Sequence, residues 1–291
     1  MNFQLEESPF GFHSVKPLPS EQELRTHYSQ KYYQIEKGSY QHRYSEDELR
    51  YFDIEAEVAL HIYQNFSTIN SPQQRMLDIG TGEGFFAINF LKRKWEVVCC
   101  DYSNEGVKRH NPSLVKNLIK GNIFETLDKK IASNERYDFV NLKNVLEHVR
   151  DPIDLLGNIK CILQKDALVR IEVPNDYSTF QNFLLQSEFT VNTWFTPPEH
   201  LHYFTFQSLS NLVESLGYKV KLLMADFPIE LYLLNEHSNY VFDKSKGKSA
   251  HLARVRANNY VFDQGIENYI NYFKANAQAN LGRQAILYAS I

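Results

Sequence analysis

Apolar positions along this chain fall into two rhythms that take turns. From Arg75 onward, short apolar runs bounded by turn-forming residues alternate with stretches whose apolar residues recur at helical spacing. That alternation predicts an α/β fold, a parallel sheet with helices on its faces. The strand-like runs are 75–79, 97–101, 118–120, 137–142, 168–173 (stopped by Pro174), 218–223 and 284–291. Helix starts are marked between them. Asp151-Pro152-Ile153-Asp154 offers an N-cap acceptor, a proline at the first helical position and a first-turn carboxylate, and Ile153, Leu156, Ile159 and Leu163 follow at helical spacing. Thr205 caps a second stripe, Leu209, Leu212, Val213 and Leu216, which Gly217 ends.

Two segments stand outside the alternation. Residues 1–70 begin as a loop rich in Pro and Ser and become helical, with Tyr28, Tyr32, Tyr33, Tyr40, Tyr44 and Tyr51 along them. Residues 226–281 form an insertion whose end reads as a helix with Ile266, Tyr269, Ile270 and Phe273 on one face. Neither an internal repeat nor a flexible linker is visible. The expected organisation is one domain over 1–291: a helical extension or lid at 1–70, a core at 71–225, a helical insertion at 226–281 and a closing strand at 282–291.

Composition narrows the classes. With 43% hydrophobic and 23% charged residues, the chain is suited to a packed core rather than to disorder. A net charge of -4 argues against a dedicated nucleic-acid binder. No apolar run approaches the roughly 18 residues of a membrane span, and the start of the chain lacks the basic-then-apolar pattern of a secretory signal. Cys99, Cys100 and Cys161 form no metal-binding or redox pair and read as buried free thiols of a reducing cytoplasm.

The strongest chemical signal is Leu77-Asp78-Ile79-Gly80-Thr81-Gly82-Glu83-Gly84-Phe85, where a strand ends and a helix begins. Glycines there allow a sharp turn and let a ligand approach the main chain. The spacing is G-x-G-x-G. Phe85 occupies the place of the third glycine in the dinucleotide fingerprint, which disfavours an NAD enzyme, and no Gly-Lys-Ser/Thr follows to make a phosphate loop. Asp101 ends the next strand, where a carboxylate can accept hydrogen bonds from both hydroxyls of a ribose. Either acid alone could be a cap. On consecutive strand ends around a glycine turn they point to a nucleoside ligand.

These segments resemble the class I S-adenosylmethionine-dependent methyltransferases over about residues 75–225. LDIGTGEG resembles the family's first motif and VVCCDYS its acidic second. GNIFE, at 121–125, resembles the segment flanking the adenine, with Asn122 where the family often has Asp. YDFVNLKNVLEHVRDP resembles the fourth-strand motif. PPEHLHYFTFQSLSNLVESLGYKV resembles the tail of the subgroup that includes ubiquinone-biosynthesis O-methyltransferases and bacterial glycan-cluster enzymes. The resemblance implies a Rossmann-like seven-stranded sheet, mostly parallel with an antiparallel last strand. It implies S-adenosyl-L-methionine as cofactor, held by Asp78, Gly80, Thr81, Gly82, Gly84, Asp101, Tyr102, Asn122 and Ile123, with Leu142, Lys143 and Asn144 beneath the sulfonium.

Methyl transfer from a sulfonium is an in-line displacement, so a base is needed only for an acceptor that enters protonated. Candidate bases are His148, just after the fourth strand, and His200 and His202, whose i, i+2 spacing in an extended segment points both the same way. A metal set of Glu199, His200 and His202 lacks a further ligand, so no metal is expected. Acceptor contacts are expected from Tyr28, Tyr32 and Tyr33 in the extension, Tyr203 in the histidine loop, and Asn239, His251 and Arg254 in the insertion. Lys244, Lys246 and Lys248 read as solvated charge. The expected activity is O-methylation of a small polar acceptor such as a sugar nucleotide or glycan precursor. The alternatives are N- or C-methylation of another small metabolite, or a non-catalytic cofactor-binding partner subunit. Methylation of DNA adenine is disfavoured, because Leu142-Lys143-Asn144-Val145 stands where an Asn-Pro-Pro-Tyr motif would be.

Overall fold

In the computed structural model, residues 3–24, 43–69 and 72–291 are described. The seven expected strands are β3 (Arg75–Ile79), β4 (Glu96–Asp101), β5 (Leu118–Lys120), β6 (Tyr137–Lys143), β7 (Leu163–Pro174), β9 (Lys219–Ala225) and β10 (Gln284–Ser290). They form one sheet in the order β5-β4-β3-β6-β7-β10-β9. The first five pair in parallel, and β10 runs antiparallel to both β7 and β9. The mostly parallel sheet with an antiparallel last strand is therefore present as expected.

Helices cover both faces because each carries one apolar stripe. On one face, α4 (Ile123–Ala132), α5 (Pro152–Ile162) and α7 (Phe206–Ser215) bury Leu127, Leu155, Ile159, Leu209 and Leu212. On the other, α1 (Glu46–Phe66), α2 (Phe85–Lys92) and α9 (Ile266–Gln278) bury Ile54, Tyr63, Phe86, Phe90, Tyr269 and Phe273. The expected caps form: Asp151 accepts from the Ile153 and Asp154 N–H groups, and Thr205 from Ser208. Helix α5 ends one residue early, since Leu163 opens β7 instead of closing the helical stripe. Further helices are α3 (Glu105–His110), α6 (Thr179–Gln186) and α8 (Gly247–Asp263). Cys99 and Cys100 are buried in β4 as expected, but Cys161 lies on the outer side of α5 and is exposed. Among the described residues no helix is long and apolar enough to cross a membrane.

The beginning of the chain departs from expectation. Instead of a loop it forms a hairpin, β1 (Gln4–Glu7) with β2 (His13–Lys16), and β2 pairs with β8 (His202–Tyr203). The strands are too short to show a period, and the partner of β2 lies 188 residues away at Ser14–His202, so no local pattern announces the pairing. Tyr28, Tyr32, Tyr33 and Tyr40 lie outside the described residues.

Candidate active site

The sheet order reverses at β3, with β4 to one side and β6 to the other, which opens a crevice at the carboxyl ends of these strands. The glycine turn lies there. Gly80, Gly82 and Gly84 have φ of +72°, +58° and +81°, a region in which side chains are strained. A Cβ on Gly80 would stand 2.3 Å from Val145 Cγ2, so the turn packs directly against the loop after β6. Asp101, 7% exposed, braces the turn: its Oδ2 accepts from the Gly82 N–H and its Oδ1 from the Ser103 N–H, both at 2.9 Å. The Thr81 hydroxyl donates to the Asp78 carbonyl. Tyr102 lies largely exposed beside Asp101.

Other expected cofactor residues fall near this turn in altered roles. The Asn122 amide oxygen accepts from the Phe124 and Glu125 N–H groups and caps α4, so it is committed before any adenine amine arrives. Leu142 is fully buried in the core, so that only its main chain can face the crevice. Ile123 is buried as well. Asn144 takes a left-handed φ of +51°, and its N–H donates to the Glu172 carbonyl.

Asp78 begins a polar row across the sheet. Register aligns it with Asn141, Asn141 with Arg170, and Arg170 with Tyr288. Asn141 Nδ2 donates to Asp78 Oδ1 at 2.7 Å, Arg170 Nη1 to Asn141 Oδ1 at 3.0 Å, and Arg170 Nε to the Tyr288 hydroxyl. Arg170 also pairs closely with Glu172, and Lys143 lies 3.4 Å from Glu172 and 2.7 Å from Glu55 of α1. Lys143 is therefore an ion-pair partner. Asp78 Oδ2 is enclosed without a partner, and burial pushes this carboxyl up to about 6.

Beyond β6, Glu147, His148 and His200 each bring one ligand atom to within 4.8 Å of the others. Glu147 is 1% exposed, neither carboxylate oxygen is hydrogen-bonded although Oε1 lies 3.6 Å from His148 Nε2, and burial pushes the carboxyl up to about 8. His148 Nδ1 shares a 2.7 Å hydrogen bond with the Glu199 carbonyl, and its ring meets the His200 ring edge to face at 4.9 Å. His200 Nδ1 is unpartnered and lies 3.9 Å from Asp176 Oδ2, itself unpartnered. This is a different set from Glu199, His200 and His202, and its donors suit a divalent cation.

Several expected acceptor and catalytic residues are structural instead. His202 does not share the direction of His200, because the strand begins only after His200. Its Nδ1 bonds Ser14 Oγ at 2.8 Å, its Nε2 bonds the Val149 carbonyl at 2.9 Å, and burial lowers it to about 4. Tyr203 is buried; its hydroxyl accepts from the Thr196 N–H and donates to the His200 carbonyl, which holds the histidine loop. Asn239 is buried, with its amide donating to the Phe189 and Leu233 carbonyls and accepting from the Val241 and Phe242 N–H groups. His251 bonds Glu48 of α1, and Arg254 donates to His251 while facing Asp226 at 3.7 Å. Arg254 keeps 23% of its side chain exposed.

Sequence reading missed Glu55, Glu147, Glu172, Asp176 and Arg283. Glu172 had a usable signal, since a carboxylate between Ile171 and Val173 in an apolar strand needs a buried partner. Glu147 stood beside a chosen histidine. Asp176 and Arg283 had none, because their pairing spans 107 residues.

Residues 49–223 match the family described as a methyltransferase domain. A ubiquinone biosynthesis O-methyltransferase of Rickettsia bellii is 23% identical over 203 residues, 69% of this chain and 75% of that protein. An uncharacterized methyltransferase of Schizosaccharomyces pombe is 27% identical over 150 residues, 43% of this chain and 51% of the other. Among solved structures, a SAM-dependent methyltransferase from Archaeoglobus fulgidus superposes with a TM-score of 0.49 at 19% identity, covering 82% of this chain and 94% of that one.

Proposed function

The chain belongs to the methyltransferase-domain family, and from that membership we propose that it methylates an oxygen of a small polar acceptor such as a sugar nucleotide or glycan precursor. Its cofactor is S-adenosylmethionine, which supplies an activated methyl on a positively charged sulfur. The residues present fit this cofactor. The enclosed, unpartnered Asp78 Oδ2 suits an ammonium group. Asp101 stands at the end of β4 with lone pairs beyond those used on Gly82 and Ser103.

One observation carries the choice of acceptor atom: Glu147, His148 and His200 converge beyond β6, with neither Glu147 oxygen hydrogen-bonded. An alcohol must lose a proton as its oxygen is methylated, so it needs such a group, whereas an anionic acceptor does not. His200 takes that proton, with Asp176 behind its Nδ1, while Tyr203 fixes the loop and His148 packs against the ring. The compactness of the same trio favours a second reading in which a divalent cation there polarises the acceptor oxygen.

The test is turnover with methyl-labelled cofactor and a panel of nucleotide sugars, with the product bond read by NMR. His200→Ala is expected to lower kcat by about 10²–10⁴-fold while S-adenosylhomocysteine affinity stays within roughly twofold. Full activity in His200→Ala, or methyl found on nitrogen or carbon, would sink the reading. Loss of turnover in EDTA, restored by a divalent ion, would select the cation version.

A further inference from the structure

We infer that Asp176, Glu230 and Arg283 form a carbohydrate subsite that grips two adjacent hydroxyls of the acceptor; the inference rests on the oxygen-methylation reading above. Three separate stretches deliver these residues to the carboxyl edge of the sheet. Asp176 follows the end of β7, Glu230 lies in the 3₁₀ turn Ile229–Leu234 after β9, and Arg283 immediately precedes the antiparallel β10. Arg283 Nη1 donates to Asp176 Oδ1 at 2.5 Å, and its Nε lies 4.0 Å from Glu230 Oε1. One guanidinium thus stands between two carboxylates and keeps 27% of its side chain exposed.

The carboxylates are not satisfied. Glu230 Oε1 accepts from Gln181 Nε2 at 2.9 Å, but Oε2 has no hydrogen-bond partner, and neither has Asp176 Oδ2. Both side chains are more than nine-tenths buried. An enclosed acceptor left without a donor is destabilising, and more so when charged. Two of them beside one guanidinium make a site that wants hydrogen donors and acceptors in alternation.

That pattern selects among ligands. A sugar hydroxyl both donates and accepts, so neighbouring hydroxyls can donate to the two carboxylates and accept from the guanidinium at once. An ammonium has no lone pair to offer Arg283, and a metal cation would be repelled by it. A phosphate would face two carboxylates, and an apolar ligand would leave every orphan unmet. The subsite also abuts the histidine cluster, since Asp176 Oδ2 is 3.9 Å from His200 Nδ1. A sugar seated there brings a further hydroxyl toward His200.

The experiment is saturation-transfer difference NMR on the full chain with S-adenosylhomocysteine, using methyl α-D-mannopyranoside and its 2,3-dideoxy counterpart. Saturation transfer to the diol sugar and little to the dideoxy sugar is expected. Glu230→Gln and Arg283→Lys should each weaken the sugar by at least about tenfold. Calorimetry should find their S-adenosylhomocysteine affinity unchanged, which shows that they fold. No transfer to the diol sugar, equal transfer to the dideoxy sugar, or undiminished binding in Glu230→Gln would overturn the inference. So would binding that requires glucosamine's ammonium or vanishes in EDTA. Because the readout is binding, the two ideas fail separately. A sugar lost with Glu230→Gln but never methylated on oxygen rejects the reaction and leaves the subsite standing.

Discussion

Asp78 shows how one side chain links ligand and proton. Its folded pKa, raised by burial to about 6 from 3.8, means that the ligand-free protein binds a proton there which the unfolded chain releases. The stability this adds is present in acid and lost as pH rises through about 6. A bound ammonium reverses the preference by favouring the carboxylate. S-adenosylhomocysteine affinity should therefore strengthen as pH rises from 5 to 7, by at most about tenfold per unit below pH 6, with protons released on binding. Calorimetry in buffers of different ionisation enthalpy reads both quantities, and Asp78→Asn should flatten the profile. Asp78 and Asp101 were legible in the sequence because two acids at the ends of consecutive strands flank a glycine turn. Asp176 and Arg283 were not, because their meaning arises only when strands distant in sequence are brought side by side.

At the scale of elements, the hairpin at the start of the chain supports the histidine loop. Val15 is fully buried, its N–H donates to the Leu201 carbonyl, and Ser14 completes the hydrogen bonding of the His202 ring. Ser14→Ala should leave a buried imidazole nitrogen unmet and cost about 1–3 kcal/mol in urea unfolding. It should also lower turnover more than cofactor affinity, since β8 leads directly from His200. Unaltered stability would show that the hairpin is incidental. The seven main strands could be read because each is an apolar run between clear stops. This hairpin could not, with four polar-leaning residues per strand and a partner strand of two residues. The i, i+2 argument for His200 and His202 failed for a related reason. It assumed an extended strand that starts only at His202.

Across the whole molecule, the carboxyl edge concentrates acids that burial has raised. Besides Asp78, Asp226 is pushed up to about 6 and Glu230 to about 7, each by burial first, with arginines opposing. All three bind protons more tightly folded than unfolded. Their stability contribution is therefore complete below about pH 4 and is withdrawn as pH climbs through 6 and 7. A two-unit shift corresponds to about 3 kcal/mol per group. The ligand-free protein should melt at a lower temperature at pH 8 than at pH 5.5, and S-adenosylhomocysteine should narrow the gap by meeting Asp78. A Tm that rises over this range would contradict the picture. The helices on both faces and the alternating plan were visible in the apolar rhythm. The row Asp78, Asn141, Arg170 and Tyr288 was not, because each member is an isolated polar residue until register lines them up.

The sheet order also bears on how the protein is made. β10 is the last strand in sequence, yet it lies between β7 and β9 rather than at an edge. As the chain leaves the ribosome, β9 emerges with no neighbour to pair with, and β7 presents an open flank, until some sixty further residues have been synthesised. Arg283, and with it the proposed sugar grip, arrives together with the strand that closes this gap. A nascent chain can therefore assemble the parallel half of the sheet, β5 to β7, early, while the antiparallel half waits for translation to deliver its central piece. For that interval two unpaired strand flanks are exposed to other chains, and chaperone protection would matter most then.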